Sequence, residues 1–155
     1  MKSIALPILS FFSFLLFAGL EGNKEMAGKC KAKEITEACR PNLKPFKYDS
    51  YAYSELQFDN ATKTVDVDFT VFASQKYKII FCASGFEEMV KVYIYDKPKT
   101  YKKRKKVYDN ENGIDNLFWS FQTAKAGTYF IEYEVPPAKD GKKKKGCIVM
   151  IVGFK

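Results

Sequence analysis

From Asp49 to the C-terminus, apolar and polar residues alternate in short runs separated by turn residues, the pattern of strands with one buried face. In Thr64–Ala73, the side chains of Val65, Val67, Phe69 and Val71 share one face, and Asp66, Asp68 and Thr70 take the other. In Thr128–Val135 the same period sets Tyr129, Ile131, Tyr133 and Val135 against Thr128, Phe130, Glu132 and Glu134. Eight runs of this kind follow one another: Tyr51–Phe58, Thr64–Ala73, Lys76–Ala83, Val90–Asp96, Lys105–Tyr108, Leu117–Thr123, Thr128–Val135 and Cys147–Phe154. Turn signals at roughly ten-residue spacing, with no second helical segment, predict an all-β fold: an eight-stranded antiparallel two-sheet sandwich, jelly-roll-like, preceded by one short helix. Two Greek keys would place strands 1, 8, 3 and 6 in one sheet and strands 2, 7, 4 and 5 in the other. The last run, Cys147 to Val152, is apolar on both faces and is therefore expected in the interior of its sheet.

Ahead of the sandwich the pattern changes. Residues 1–22 read as a signal peptide: Lys2 gives the positive start, Ile4 to Leu20 is almost wholly apolar, and Ala18-Gly19 offers small residues for cleavage. Pro7, Ser10 and Ser13 interrupt that run and no basic stop follows it, so no membrane span is expected after cleavage. Residues 23–48 form an N-terminal helical segment and linker, and residues 49–155 the β-sandwich domain. A secreted or periplasmic location follows, and with it an oxidising environment. Cys30, Cys39, Cys82 and Cys147 are accordingly read as two disulfides, with three pairings open. The chain has no CxxC, which argues against a redox pair or a zinc ribbon. One unbroken helix through Cys30 and Cys39 would hold them ~13 Å apart, about twice what a disulfide spans, so either the helix is short or each bonds elsewhere. In the jelly-roll order strand 3 lies beside strand 8, which brings Cys82 and Cys147 within reach and predicts a bond between them.

Three stretches carry a resemblance: Tyr77 to Cys82, Ala126 to Ile131, and Gly146 to Phe154. With the helical segment from Cys30 to Pro41, they resemble a group of small exported bacterial proteins that pair an N-terminal cysteine helix with a β-sandwich ending in a Gly-Cys strand. The resemblance implies the sandwich fold and export, and no activity. The Gly127–Ile131 run is also similar to the late strand of bacterial pre-peptidase C-terminal domains, which are non-catalytic jelly rolls.

Composition narrows the chemistry. The chain of 155 residues contains no histidine, which strikes out serine triads, Cys-His dyads and ordinary zinc enzymes. Lys and Arg number 26 against 18 Asp and Glu, a net charge of +8. Two clusters concentrate it: Lys102, Lys103, Arg104, Lys105 and Lys106, and Lys142, Lys143, Lys144 and Lys145. These are the candidate polyanion-binding residues, with an acidic polysaccharide or an envelope protein as partner. The topology sends the two clusters to opposite ends of the sandwich, so they cannot form one groove, and nucleic acid is not an expected partner. Asp109, Glu111 and Asp115 supply oxygen ligands in one loop, the one place suited to Ca2+, although the EF-hand spacing fails at Gly113; no other cofactor is expected. Asp66 with Asp68, and Glu132 with Glu134, share faces on the water side of amphipathic strands, a poor setting for acid catalysis. Phe118, Trp119 and Phe121 are read as packing aromatics. The sequence thus predicts no catalytic residues and a secreted non-catalytic binding or interaction module. The alternatives are a carboxylate-dependent polysaccharide hydrolase and a structural component of a surface assembly.

Overall fold

The computed structural model describes residues 30–111 and 118–155. The expected signal peptide and residues 23–29 lie outside them. A short helix, α1 (Ala32–Cys39), runs into a 3₁₀ turn at Arg40–Leu43, where Pro41 ends the helical run. Eight strands follow: β1 (Lys47–Phe58), β2 (Lys63–Val71), β3 (Lys76–Ser84), β4 (Lys91–Tyr95), β5 (Lys106–Asp109), β6 (Phe118–Gln122), β7 (Gly127–Val135) and β8 (Lys144–Phe154). All pairings are antiparallel, in two four-stranded sheets of order β1-β8-β3-β6 and β2-β7-β4-β5. This is the expected sandwich with the expected strand order.

The alternating positions meet between the sheets. Phe58, Ile79, Ile94, Ile131 and Tyr133 are almost fully buried there with Val71 and Val135. Each such aliphatic or aromatic side chain contributes about 1.5–3 kcal/mol relative to exposure. A ladder of rings extends this core toward β6: Trp119 stacks on Phe121 at 3.8 Å and meets Phe69 and Tyr129 edge-on. Trp119 and Phe121 are packing residues, as expected, while Phe118 points outward beneath Lys78.

β8 explains its two apolar faces. Ile148, Met150 and Val152 join the core between the sheets. Cys147, Val149 and Ile151 face the other way, where, with Ile80 and Cys82 of β3, they are covered by α1 and the 3₁₀ turn through Ala32, Ile35 and Leu43. Two disulfides fasten that cover: Cys30–Cys147 and Cys39–Cys82, with Cα atoms 5.2 and 6.7 Å apart. The expected Cys82–Cys147 bond is not formed. The two strands are neighbours, but Cys82 lies opposite Val149 and Cys147 opposite Ser84, a diagonal offset of two residues. Diagonal neighbours on one face are ~7–8 Å apart, beyond the usual disulfide span, and the helix brings a thiol to each. Cys30 and Cys39 therefore bond elsewhere, one of the two outcomes their spacing allowed.

Candidate functional site

Among the described residues no helix covers the outer face of the β2-β7-β4-β5 sheet, which carries the shared-face acids. The β2–β7 register sets Asp66 directly opposite Glu132. Two like charges facing each other across a ladder are destabilising unless a cation joins them. The β4–β5 connection, residues 96–105, supplies it. Lys99 Nζ lies 3.7 Å from Asp66 and 3.5 Å from Glu132, and both terminal nitrogens of Arg104 donate to Glu132 Oε2 at 3.1 Å. The Arg104 guanidinium also stacks over the Tyr95 ring at 3.7 Å. Glu132 and Arg104 are consequently sheltered, with side chains 16% and 21% exposed. Glu132 is thus not the water-facing carboxylate that alternation alone predicts; the loop lies over it. Glu134 is paired in turn with Lys91 at 2.9 Å.

The same contacts fix the shape of the loop. Asp96 and Lys105 close its base through two backbone donors: Asp96 N–H to the Lys105 carbonyl, and Lys105 N–H to Asp96 Oδ1. Tyr101 N–H donates to the Pro98 carbonyl within it. With Lys99 and Arg104 turned onto the sheet, Lys97, Lys102, Lys103 and Lys105 are left exposed, and none has an ion-pair partner among the described residues. Lys97 lies over the exposed Tyr101 ring. Lys125, in the β6–β7 turn, is exposed at the same end of the sandwich. Of the first expected cluster, Lys102, Lys103 and Lys105 therefore face water, while Arg104 is an anchor and Lys106 pairs with Asp109 at 3.0 Å.

The second cluster lies at the opposite end, as the topology required, because Lys91 at the start of β4 opposes Glu134 at the end of β7. Here two of the lysines are spent on neighbouring acids. Lys144 binds Glu87 and Asp140, and Lys145 binds Glu55. Lys142 and Lys143 lie near Asp140 and Asp59 and help hold those carboxyls below their usual range. For Asp59 the larger cause is the hydrogen bond from Lys63, for Asp140 the donation from Lys142 N–H, and for Glu87 the hydrogen bond from Lys144. Lys142 and Lys143 themselves are exposed and form no ion pair among the described residues, so the charge network at this closed end is built on Lys144 and Lys145.

Of the candidate calcium ligands, Asp115 falls outside the described residues. Asp109 is held by Lys106, which lowers its pKa, and Glu111 accepts a 2.7 Å hydrogen bond from the Tyr93 hydroxyl. Among the described residues no group of three acids or cysteines is gathered in the manner of a metal site.

Sequence reasoning missed the roles of Lys97, Lys99 and Lys125. Lys99 had a readable signal: once strand 2 is set beside strand 7, two acidic faces adjoin and require a nearby cation. Lys97 and Lys125 had none beyond their charge.

No protein-family model matches the chain, and no curated protein matches it. Among solved structures the chain is similar to Aeromonas hydrophila PliG, a periplasmic lysozyme inhibitor of g-type lysozyme. The identity is 13%, over 68% of this chain and 86% of that one, with a TM-score of 0.45. Salmonella Typhimurium PliG, likewise a periplasmic inhibitor of g-type lysozyme, is similar at 14% identity over 68% and 93% of the two chains, with a TM-score of 0.38. Likenesses at this level transfer neither ligand nor activity. Neither is a pre-peptidase C-terminal domain, and that expected resemblance is not supported.

Proposed function

We propose that this protein is an exported, non-catalytic β-sandwich binding module that engages an anionic partner of the cell envelope or extracellular space through the β4–β5 loop. One observation carries the reading: Lys99 and Arg104 pin the loop to Asp66 and Glu132, so that Lys97, Lys102, Lys103 and Lys105 are displayed on a held backbone. A fixed set of cations loses less side-chain and loop freedom on meeting an anion than a mobile tail does. Export is supported by the two disulfides, which persist in oxidising compartments. The non-catalytic reading is supported by the acids that the hydrolase alternative would use. One oxygen each of Asp66, Glu132 and Glu134 is engaged by lysine or arginine, which leaves Asp68 without the second free carboxylate that a general acid and nucleophile pair requires.

The test is binding to a sulfated polysaccharide, dextran sulfate, at two salt concentrations, with unsulfated dextran as control. Reversing Lys102, Lys103 and Lys105 to Glu is expected to weaken binding at least tenfold, and reversing Lys142 and Lys143 less than threefold. Equal losses from both sets would mean that net charge alone attracts the polymer, and would overturn the reading.

A further inference from the structure

Among the described residues β1 is an edge strand whose first half is uncovered. Its inward positions Ser50, Ala52 and Ser54 are small, whereas Leu56 and Phe58 further along fill the core. Residues 49–53 are exposed on both faces of the strand. No backbone hydrogen bond among the described residues reaches its free edge between Asp49 and Ser54. Because the small side chains leave the space between the sheets unfilled, a cleft of about 460 Å³ opens between β1 and β2, floored by Met150, Val152 and Phe69. Phe72, 68% exposed, stands at its lip, and Tyr53, 58% exposed, flanks the outer side of the strand. Natural edges of this length are normally blunted by proline, lysine, a bulge or a covering element; β1 has a register shift at Asp49, but from Ser50 to Phe58 it runs in regular register and contains neither proline nor lysine.

We propose that this edge accepts an extended segment of a partner protein as a further strand beside β1, its alternate large apolar side chains seated in the cleft and a basic residue set against Asp49 and Asp68. Strand addition draws affinity from main-chain bonds and specificity from the pockets that receive alternate side chains. The cleft lacks the inward side chains an edge strand ordinarily provides, so an added strand bearing them completes the core. Charge selects the flanking residue: Asp49 and Asp68 both line the cleft, and Asp68 has no ion-pair partner among the described residues. A second copy of this chain is the poorer occupant, since pairing β1 with itself offers the cleft only Ser50, Ala52 and Ser54 again and brings two positively charged molecules together. The inference goes beyond the loop-borne recognition above and does not depend on it.

The test uses the full disulfide-bonded chain and two fluorescent nine-residue peptides. One alternates phenylalanine or valine with threonine and ends in lysine; the other is the same sequence N-methylated at every residue, so that neither of its edges can donate. The first is expected to bind at least tenfold more tightly than the second and to slow amide exchange at residues 49–54. Ala52→Leu, which fills the cleft from within, is expected to weaken binding at least fivefold without lowering Tm, and Asp68→Lys to weaken it severalfold at low salt. Failure of both peptides to bind at millimolar concentration would overturn the proposal. So would unchanged affinity in Ala52→Leu with an intact fold, or a concentration-dependent dimer abolished by Tyr53→Lys, which would assign the edge to a second copy.

Discussion

Gly146 shows how single positions set the shape of the closed end. It faces Leu56 across the β1–β8 ladder, and a Cβ built there would lie 2.3 Å from the Phe86 ring. That ring arrives from the β3–β4 connection and packs on Phe58 with centroids 5.2 Å apart, so the missing side chain is the space Phe86 occupies. Gly146→Ala is expected to expel the ring and cost about 1–3 kcal/mol, read from the midpoint of chemical denaturation at unchanged m-value. The buried phenols give a second prediction. Burial pushes the Tyr108 hydroxyl up to about 12, and Tyr93 and Tyr133 are also raised by burial. A raised tyrosine keeps its proton longer in the folded state. Its contribution to stability is therefore complete below pH 10 and is lost as pH rises toward 12. An absorbance titration should show these phenolates appearing late and together with unfolding, whereas early ionisation of all tyrosines in a folded chain would refute the burial. At this scale the sequence was informative about which face each residue takes and silent about Phe86, because alternation does not describe what a loop side chain fills.

Between elements, period two tells which face a residue occupies and leaves register undetermined. That is why the strand order was legible and the disulfide pairing was not. The apolar double face of Cys147–Val152 revealed an interior strand, and the β3–β8 neighbourhood followed from the Greek-key order. Whether Cys82 met Cys147 or sat diagonal to it turned on a two-residue offset, and the second face of β8 turned out to be the seat of α1. The disulfides therefore do not staple strand to strand. They clamp the helix over Ile80, Val149 and Ile151. Closing 43 residues, the Cys39–Cys82 bond should contribute about 4 kcal/mol by the loop-entropy estimate. Replacing both of these cysteines by serine is expected to lower stability by about that amount and to raise binding of a hydrophobic dye. An unaltered denaturation midpoint would show that packing and the Cys30–Cys147 bond hold the helix without it.

Seen as a whole, the molecule divides its charge by end. Around β7–β8, Lys144 and Lys145 are paired with acids and the exposed Lys142 and Lys143 lie beside Asp140 and Asp59; around β4–β5 four lysines without an ion-pair partner among the described residues remain displayed on an anchored loop. The opposition of the two ends was readable from strand order, but the unequal use of their lysines was not, since it depends on which acids the register brings alongside. The closed end should be acid-labile. Asp59, Glu87 and Asp140 have folded pKa values below their ordinary 3.8, 4.5 and 3.8, so their stabilising contacts are complete above those values and fail as pH falls through the lowered ones. The amides of Lys139 and Lys142, whose N–H groups donate to Glu87 and Asp140, should lose their protection from exchange as pH falls through the lowered values of those two carboxyls, before global unfolding. The most direct test of the functional claim is to titrate dextran sulfate into isotope-labelled protein and follow backbone amide shifts. The account predicts perturbation confined to residues 96–105 and 123–126. Equal perturbation across residues 139–145 would contradict it.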